Sequence, residues 1–301
     1  MGSIYAGLLA AAGNEVYVTD PWEAHIDAIA AHGLRVAGPR GDAVVAVATD
    51  RAAIRRPFDL IIIAAKSLDI EAAATTAHAL AAPHSVVLTI QNGLGAAEIV
   101  AGVVGEARLA IGIAGGFGAK LIAPGHVFHN AMQLIRFGPY RSLAADRLAP
   151  IAQTWRDAGF TVEVRSEIAS IQWEKLICNV AFSGPCAIAG TTVGDVMDDV
   201  DLGPISRSAA IEAFDVAHAL GVHLAIADPL AHVRAFGESV RHAKPSTLID
   251  IERGRRSEID FINGAVAREA ERIGLRAPVN AAITAFVRRI ERDRAITSPI
   301  S

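Results

Sequence analysis

The chain has 301 residues, 52% hydrophobic and 20% charged, which permits one large or two ordinary domains and excludes global disorder. Its 28 Lys and Arg against 32 Asp and Glu leave a net charge of −4, which argues against a general nucleic-acid binder. No apolar run reaches the roughly 18 residues of a membrane span, the opening Met1-Gly2-Ser3 has no basic signal segment, and two cysteines, Cys178 and Cys186, give no disulfide framework, so a cytoplasmic protein is expected.

Residues 3–12 are rich in Ala and Leu and stop at Gly13-Asn14, a helix with its terminator. Residues 15–20 form a short β-type run ending in Asp20, and helical spacing from Trp22 to His32 is closed by Gly33. The runs 43–49, 59–65 and 85–91 are short and apolar on both faces, as buried parallel strands are, with a helical pattern from Ile70 to Leu80 between the last two. This βαβ rhythm predicts a doubly wound α/β sheet. Three further strands are expected at 107–116, 126–138 and 161–165, with Gly125 at the turn joining the first two. From Glu167 onward the pattern is helical: 168–182, 206–221, 230–241, 245–274 and 278–294. An α/β domain over 1–166 and an all-α domain over 167–301 are therefore expected.

Chemistry-bearing residues fall at four places. Gly2 opens the first helix where the last glycine of a dinucleotide-binding fingerprint lets helix and strand pack closely, while the preceding strand and first two glycines are expected to be lacking. Asp20 ends the second strand pattern, where an acid either bonds a ribose 2′-hydroxyl and repels a 2′-phosphate, or simply caps the next helix. Lys66 follows the strand 59–65 at the edge where α/β sheets bind ligands, and Asn92 follows the strand 85–91 in an Asn-Gly pair that also favours a plain turn. In the helical part, Lys175, Asn179 and Ser183 are spaced i, i+4, i+8, a polar stripe on a helix whose other residues are apolar. Ser246, Asp250 and Glu258 are also multiples of four apart, with Gly254 at the missing step. That spacing predicts either a second stripe on one continuous helix or a solvated face pairing with Arg253, Arg255 or Arg256. The ten histidines show no metal-binding spacing, and neither cysteine sits in a nucleophile motif.

The blocks WEKLICNVAFSG (173–184), PSTLIDIERGRRSEIDFING (245–264), IQNGLG (90–95) and MGSIYA (1–6) resemble the ketopantoate reductase family over essentially the whole chain. The resemblance implies a Rossmann-type domain, a helical domain and a cleft between them. It implies reduction of ketopantoate to D-pantoate with NADP(H), in pantothenate biosynthesis, by a homodimer acting on a small 2-oxo acid, without nucleic-acid or membrane partners. By motif, Lys175 is the general acid and Glu258 its neighbour beside cofactor and substrate. Asn179, Ser183 and Ser246 bind substrate; Gly2, Asp20, Lys66, Asn92 and Ala119 contact cofactor. Three departures bear on this reading. The phosphate-binding strand and glycines are expected to be lacking, Asp20 favours NAD(H), and Ser183 and Val193 stand where relatives carry asparagine. The alternatives are a reductase of another 2-oxo or β-keto acid, or a non-catalytic ligand-sensing or dimerisation protein.

Overall fold

The computed structural model describes residues 1–39, 41–49, 57–116, 118–131 and 134–294. They divide into two compact units: an α/β unit formed by Met1–Gln91 and Ala97–Ile168, and a helical unit that begins at Ala169 and also takes in the short segment Asn92–Ala96.

The α/β unit opens with α1 (Gly2–Ala11) and α2 (Glu23–His32). A four-stranded sheet is made of β1 (Leu34–Gly38), β2 (Gly41–Val45), β6 (Gly118–Ala123) and β7 (His126–Ala131), in the order β2-β1-β7-β6. A five-stranded sheet is made of β3 (Phe58–Ile63), β4 (Ala81–Thr89), β5 (Leu109–Gly115), β8 (Leu134–Pro139) and β9 (Val162–Val164), in that order. Helices α3 (Ile70–Leu80), α4 (Ala96–Val104) and α5 (Leu148–Asp157) connect its strands. β3, β4 and β5 run parallel, the βαβ rhythm of the sequence, but β8 returns antiparallel to β5. The reason is that the link from β5 to β8 is the strand pair β6–β7, with no crossover helix to restore the direction.

Three expected strands are corrected. The run 15–20 contributes only a parallel bridge from Tyr17 to Ala48. The run 43–49 is no buried parallel strand: β2 is an exposed antiparallel partner of β1, with Val44 60% exposed. The run 126–138 is two strands, β7 and β8, and residues 132 and 133 between them lie outside the described ones; Gly125, at φ +70°, turns β6 into β7. Trp155 of α5 is fully buried beneath the larger sheet among Tyr5, Phe137 and Phe160, with ring centroids 4.7–5.1 Å from its own. Aromatic contacts of that spacing contribute beyond the area they bury.

The helical unit consists of α6 (Ile168–Ala189), α7 (Val193–Asp198), α8 (Leu202–Ala219), α9 (Pro229–Ser239), α10 (Ser246–Glu252), α11 (Asn263–Arg272) and α12 (Pro278–Asp293). α6 is its axis: Leu176, Ile177, Val180, Ala181 and Phe182 are each at most 2% exposed. Beside it, Gly184 lets α12 approach, since a Cβ there would lie 2.1 Å from Ile283 Cγ2. A buried amide pair ties four helices. Asn263 Nδ2 donates to Val180 O and to Asn280 Oδ1, and Asn280 Nδ2 donates to Ala209 O and to Glu212 Oε2. Buried amide donors paired in this way fix one register between packed helices.

The stretch 245–274 is not one helix. α10 ends at Glu252, Gly254 takes φ +69°, and Arg255 N–H closes back on Asp250 O at 2.8 Å. A glycine reaches this left-handed conformation without strain, so it terminates the helix instead of sitting in its interior. Ser246 and Glu258 are therefore on different elements. Asp250 is paired with Arg255 at 2.7 Å, as one of the expected pairings has it, but at 2% exposed it is buried and the face is not a solvated one.

Candidate active site

Lys175, Asn179 and Ser183 all lie on the one continuous helix α6. Lys175 Nζ donates to Asn92 Oδ1 at 2.9 Å, and Asn92 belongs to the segment that the helical unit incorporates. That segment is held in place by α6 and by the turn after α10. Gln172 Nε2 donates to Gly93 O at 2.9 Å, and Leu94 N–H donates to Phe261 O at 2.8 Å. Gly93, at φ +84°, lies so close that a Cβ on it would stand 1.9 Å from Phe261 O. The Asn-Gly pair is indeed a turn, and the turn is what delivers the Asn92 amide to the lysine.

Glu258 is 6% exposed and immediately precedes the 3-10 turn Ile259–Phe261. Burial of the Lys175 ammonium pulls its pKa from 10.5 down to about 8, and the Glu258 carboxylate acts in the opposite direction. Desolvation wins because it penalises the charged form directly, while a single carboxylate restores only part of the lost hydration. A lysine at about 8 is still mostly protonated at neutral pH, yet is a far stronger acid than one in water.

Next to Asn92 is a cavity of about 160 Å³ within the helical unit. Asn92, Asn179, Ser183 and Ser246 give it polar lining; Phe182, Phe236, Val193 and Val240 are among its apolar walls. Phe236 is 39% exposed and stacks on buried Phe182 at 6.1 Å. Of the residues expected from sequence to act together, Asn92, Asn179, Ser183 and Ser246 line this cavity; Lys175 does not line it but bonds Asn92, and Glu258 acts on Lys175 through its charge. Sequence patterns do not single out Gln172, Phe236 or Phe261. Their neighbours belong to other elements, and no spacing rule reports such contacts.

In the α/β unit, a second group forms around the start of α1. The Met1 amino group, Asp20 and Lys66 interact electrostatically: Asp20 raises the pKa of the amine and Lys66 lowers it, while burial lowers it most. Gly2 allows the helix start to reach the end of β3, because a Cβ there would already meet Ala64 Cβ at 3.3 Å. No side chain caps this helix end. Ser3 Oγ bonds His25 Nε2 at 3.0 Å, and His25 Nδ1 accepts from Gly125 N–H at 3.0 Å. His25 is therefore neutral with its proton on Nε2, in keeping with a pKa lowered by burial. A small residue at a helix start against a parallel strand end, a lysine and an acid together fit the phosphate and ribose end of a dinucleotide. Asp20 Oδ1 also accepts from Trp22 N–H at 2.9 Å, so it shapes the entry to α2 as well. Ala119 lies elsewhere in the unit, on exposed β6 opposite His129.

Among the described residues no cluster of His, Cys, Asp and Glu is arranged to hold a metal ion, and no helix is long and apolar enough to cross a membrane. Residues 1–142 match the family described as ketopantoate reductase PanE/ApbA, and residues 167–291 match its C-terminal part. A 2-dehydropantoate 2-reductase of Pyrococcus horikoshii is 31% identical over 291 residues, covering 97% of this chain and 94% of that protein. One from Archaeoglobus fulgidus is 29% identical, covering 97% and 95%. A PanE/ApbA family ketopantoate reductase of Ralstonia eutropha JMP134, solved by crystallography, superimposes with a TM-score of 0.87 at 30% identity, over 97% of this chain and 95% of that one. The non-catalytic alternative gives way to these findings. With both parts of the family pattern in order along the chain and relatives matched nearly end to end, the chain belongs to the ketopantoate reductase family and is an oxidoreductase acting on a CH–OH group with a nicotinamide cofactor.

Proposed function

We propose that this enzyme reduces the carbonyl of ketopantoate to the alcohol of D-pantoate, with Lys175 as the proton donor. The observation that carries this reading is the Lys175 ammonium itself: desolvated to a pKa of about 8, held by Asn92 Oδ1 and accompanied by Glu258. The nicotinamide cofactor, when bound, supplies the hydride. As the carbonyl carbon gains that hydride, its oxygen becomes an alkoxide, and Lys175 stabilises the growing charge and gives it a proton. Asn92 Oδ1 takes one ammonium hydrogen and so orients the group. Glu258 keeps the ammonium charged against the cost of burial until the proton is needed. In this reading Asn179 and Ser246 supply donors for the substrate carboxylate, and Ser183, which also lines the cavity, bonds its hydroxyl. The two free cysteines agree with a cytoplasmic enzyme.

Because Lys175 must be protonated for reduction, kcat/KM is expected to be flat below its pKa and to fall tenfold per pH unit above about 8. Oxidation of the alcohol requires the neutral amine, so the reverse reaction is expected to rise through the same pH. A reduction profile with no alkaline limb near 8 would remove Lys175 from the proton-transfer step.

The cavity also favours a second substrate. Val193, Phe236 and Val240 present apolar walls, which suit a 2-oxo acid with a branched hydrocarbon arm. Comparing ketopantoate with its analogue lacking only the hydroxyl separates the two. A site built to bond that hydroxyl discriminates by about 10⁴-fold or more, whereas an apolar site discriminates by no more than about 10²-fold.

For the cofactor, Asp20 supports NAD(H), since a carboxylate opposes a 2′-phosphate. Asp20→Arg is expected to raise the NADPH-to-NADH ratio of kcat/KM by about tenfold or more, a change that like-for-opposite charge exchange readily supplies. Asp20→Asn keeps the acceptor for Trp22 N–H and removes only the charge. If neither variant changes the ratio, Asp20 serves only the turn into α2.

A further inference from the structure

Glu291 of α12 is 6% exposed, and its Oε1 accepts two hydrogen bonds from one residue: from Ser257 N–H at 2.8 Å and from Ser257 Oγ–H at 2.7 Å. Taking a carboxyl group out of water is costly, and two hydrogen bonds recover only part of that cost. Such a group is retained where it holds something that packing alone would not hold. What it holds here is the backbone next to Glu258. Ser257 directly precedes that residue, and its hydroxyl oxygen also accepts from Ile259 N–H at 3.4 Å.

This stretch has no regular structure of its own to fix it. α10 has ended at Glu252, and the 3-10 turn begins only at Ile259. Ser257, Glu258 and Ile259 are nevertheless 2%, 6% and 1% exposed, so the segment is buried without a helix or strand to define its path. The other acidic groups nearby are engaged elsewhere: Asp250 with Arg255, and Asp260 with Arg288 at 2.7 Å and Arg256 at 3.8 Å. These pairs anchor the two flanks of the segment and leave its middle to Glu291.

We propose that Glu291 is a positioning residue that, through Ser257, keeps the Glu258 carboxylate beside the Lys175 ammonium. The proposal rests on the reading of Lys175 as the acid and Glu258 as its partner. Glu291 touches neither substrate nor lysine. It acts by fixing a peptide, and small displacements of a catalytic group are enough to lower turnover.

The test compares Glu291→Met, Glu291→Gln and Glu258→Gln in the full-length enzyme, with ketopantoate and whichever of NADH or NADPH supports turnover. Glu291→Met fills similar volume without an acceptor. It is expected to lower kcat roughly 10- to 100-fold with KM changed by less than about threefold. It is also expected to move the alkaline limb to lower pH, because Lys175 loses the nearby charge that offsets its desolvation. Glu291→Gln retains Oε1 as acceptor and is expected to restore both. Wild-type kcat and pH profile in Glu291→Met, or equal damage in Glu291→Gln, would overturn the proposal. If Glu258→Gln shifts both quantities and Glu291→Met shifts neither, only the proposal fails; if Glu258→Gln shifts neither, the acid reading fails and takes the proposal with it. Should Glu291→Met not fold, Ser257→Ala keeps the backbone bond and loses the hydroxyl. A smaller shift in the same direction is then expected, and an unmoved alkaline limb overturns the proposal.

Discussion

Lys175→Ala is expected to reduce turnover of the keto acid roughly 10²- to 10⁴-fold, the usual loss when a positioned general acid is removed. The substitution deletes the Nζ bond to Asn92 and the charge beside Glu258, but it leaves Trp173, Leu176 and Ile177 to hold α6 in the core. The variant is therefore expected to keep its helical circular dichroism and to unfold cooperatively. Lys175→Arg sharpens the test. A guanidinium keeps the positive charge but does not release its proton in proteins, so an acid role predicts that arginine fails almost as badly as alanine. If arginine restored turnover, electrostatic stabilisation without proton transfer would be the better account, and undiminished turnover in the alanine variant would sink the assignment altogether.

The second large effect is expected at Gly93, from a single methyl group. Gly93→Ala places a Cβ where Phe261 O stands 1.9 Å away, on a residue whose φ is +84°. The strain of a left-handed alanine and the forced separation from Phe261 add together, for a loss of about 2–4 kcal/mol in urea or thermal unfolding. The displacement also falls on both sides of the site. Asn92, which holds the lysine, is the preceding residue, and Phe261 accepts from Leu94 in the same turn that begins at Glu258. Activity is expected to fall more steeply than stability alone explains, with kcat low even at temperatures where the variant is fully folded. A Gly93→Ala variant of wild-type stability would show that the Asn92–Ala96 segment is free to move away from Phe261.

Where a residue's partner is near in sequence, the chain could be read directly. The stripe of Lys175, Asn179 and Ser183 is fixed by helical periodicity, and α6 presents it as expected. The parallel strands β3, β4 and β5 follow from short apolar runs alternating with a helical pattern. Periodicity failed where a single glycine changed the outcome. Gly254 fits a helix interior by spacing, yet it ends α10 and puts Glu258 on a separate turn. It failed again at β1 and β6, which were not expected, because each is a short strand interrupted by a basic residue, Arg35 or Lys120.

The sequence by itself determined the two classes of domain and the family to which the chain belongs, and it singled out the lysine and the glutamate proposed to act together, because each is written in local pattern or in contiguous motif. Only the tertiary structure decided that Asn92 serves the lysine, that Gly93 must be a glycine because of Phe261, and that Glu291 reaches the residue before Glu258. Those relations join positions 34 to 168 residues apart. No periodicity spans such distances. They come into being when the helices pack, because a buried amide, ammonium or carboxyl group must find its partner wherever the fold has put one.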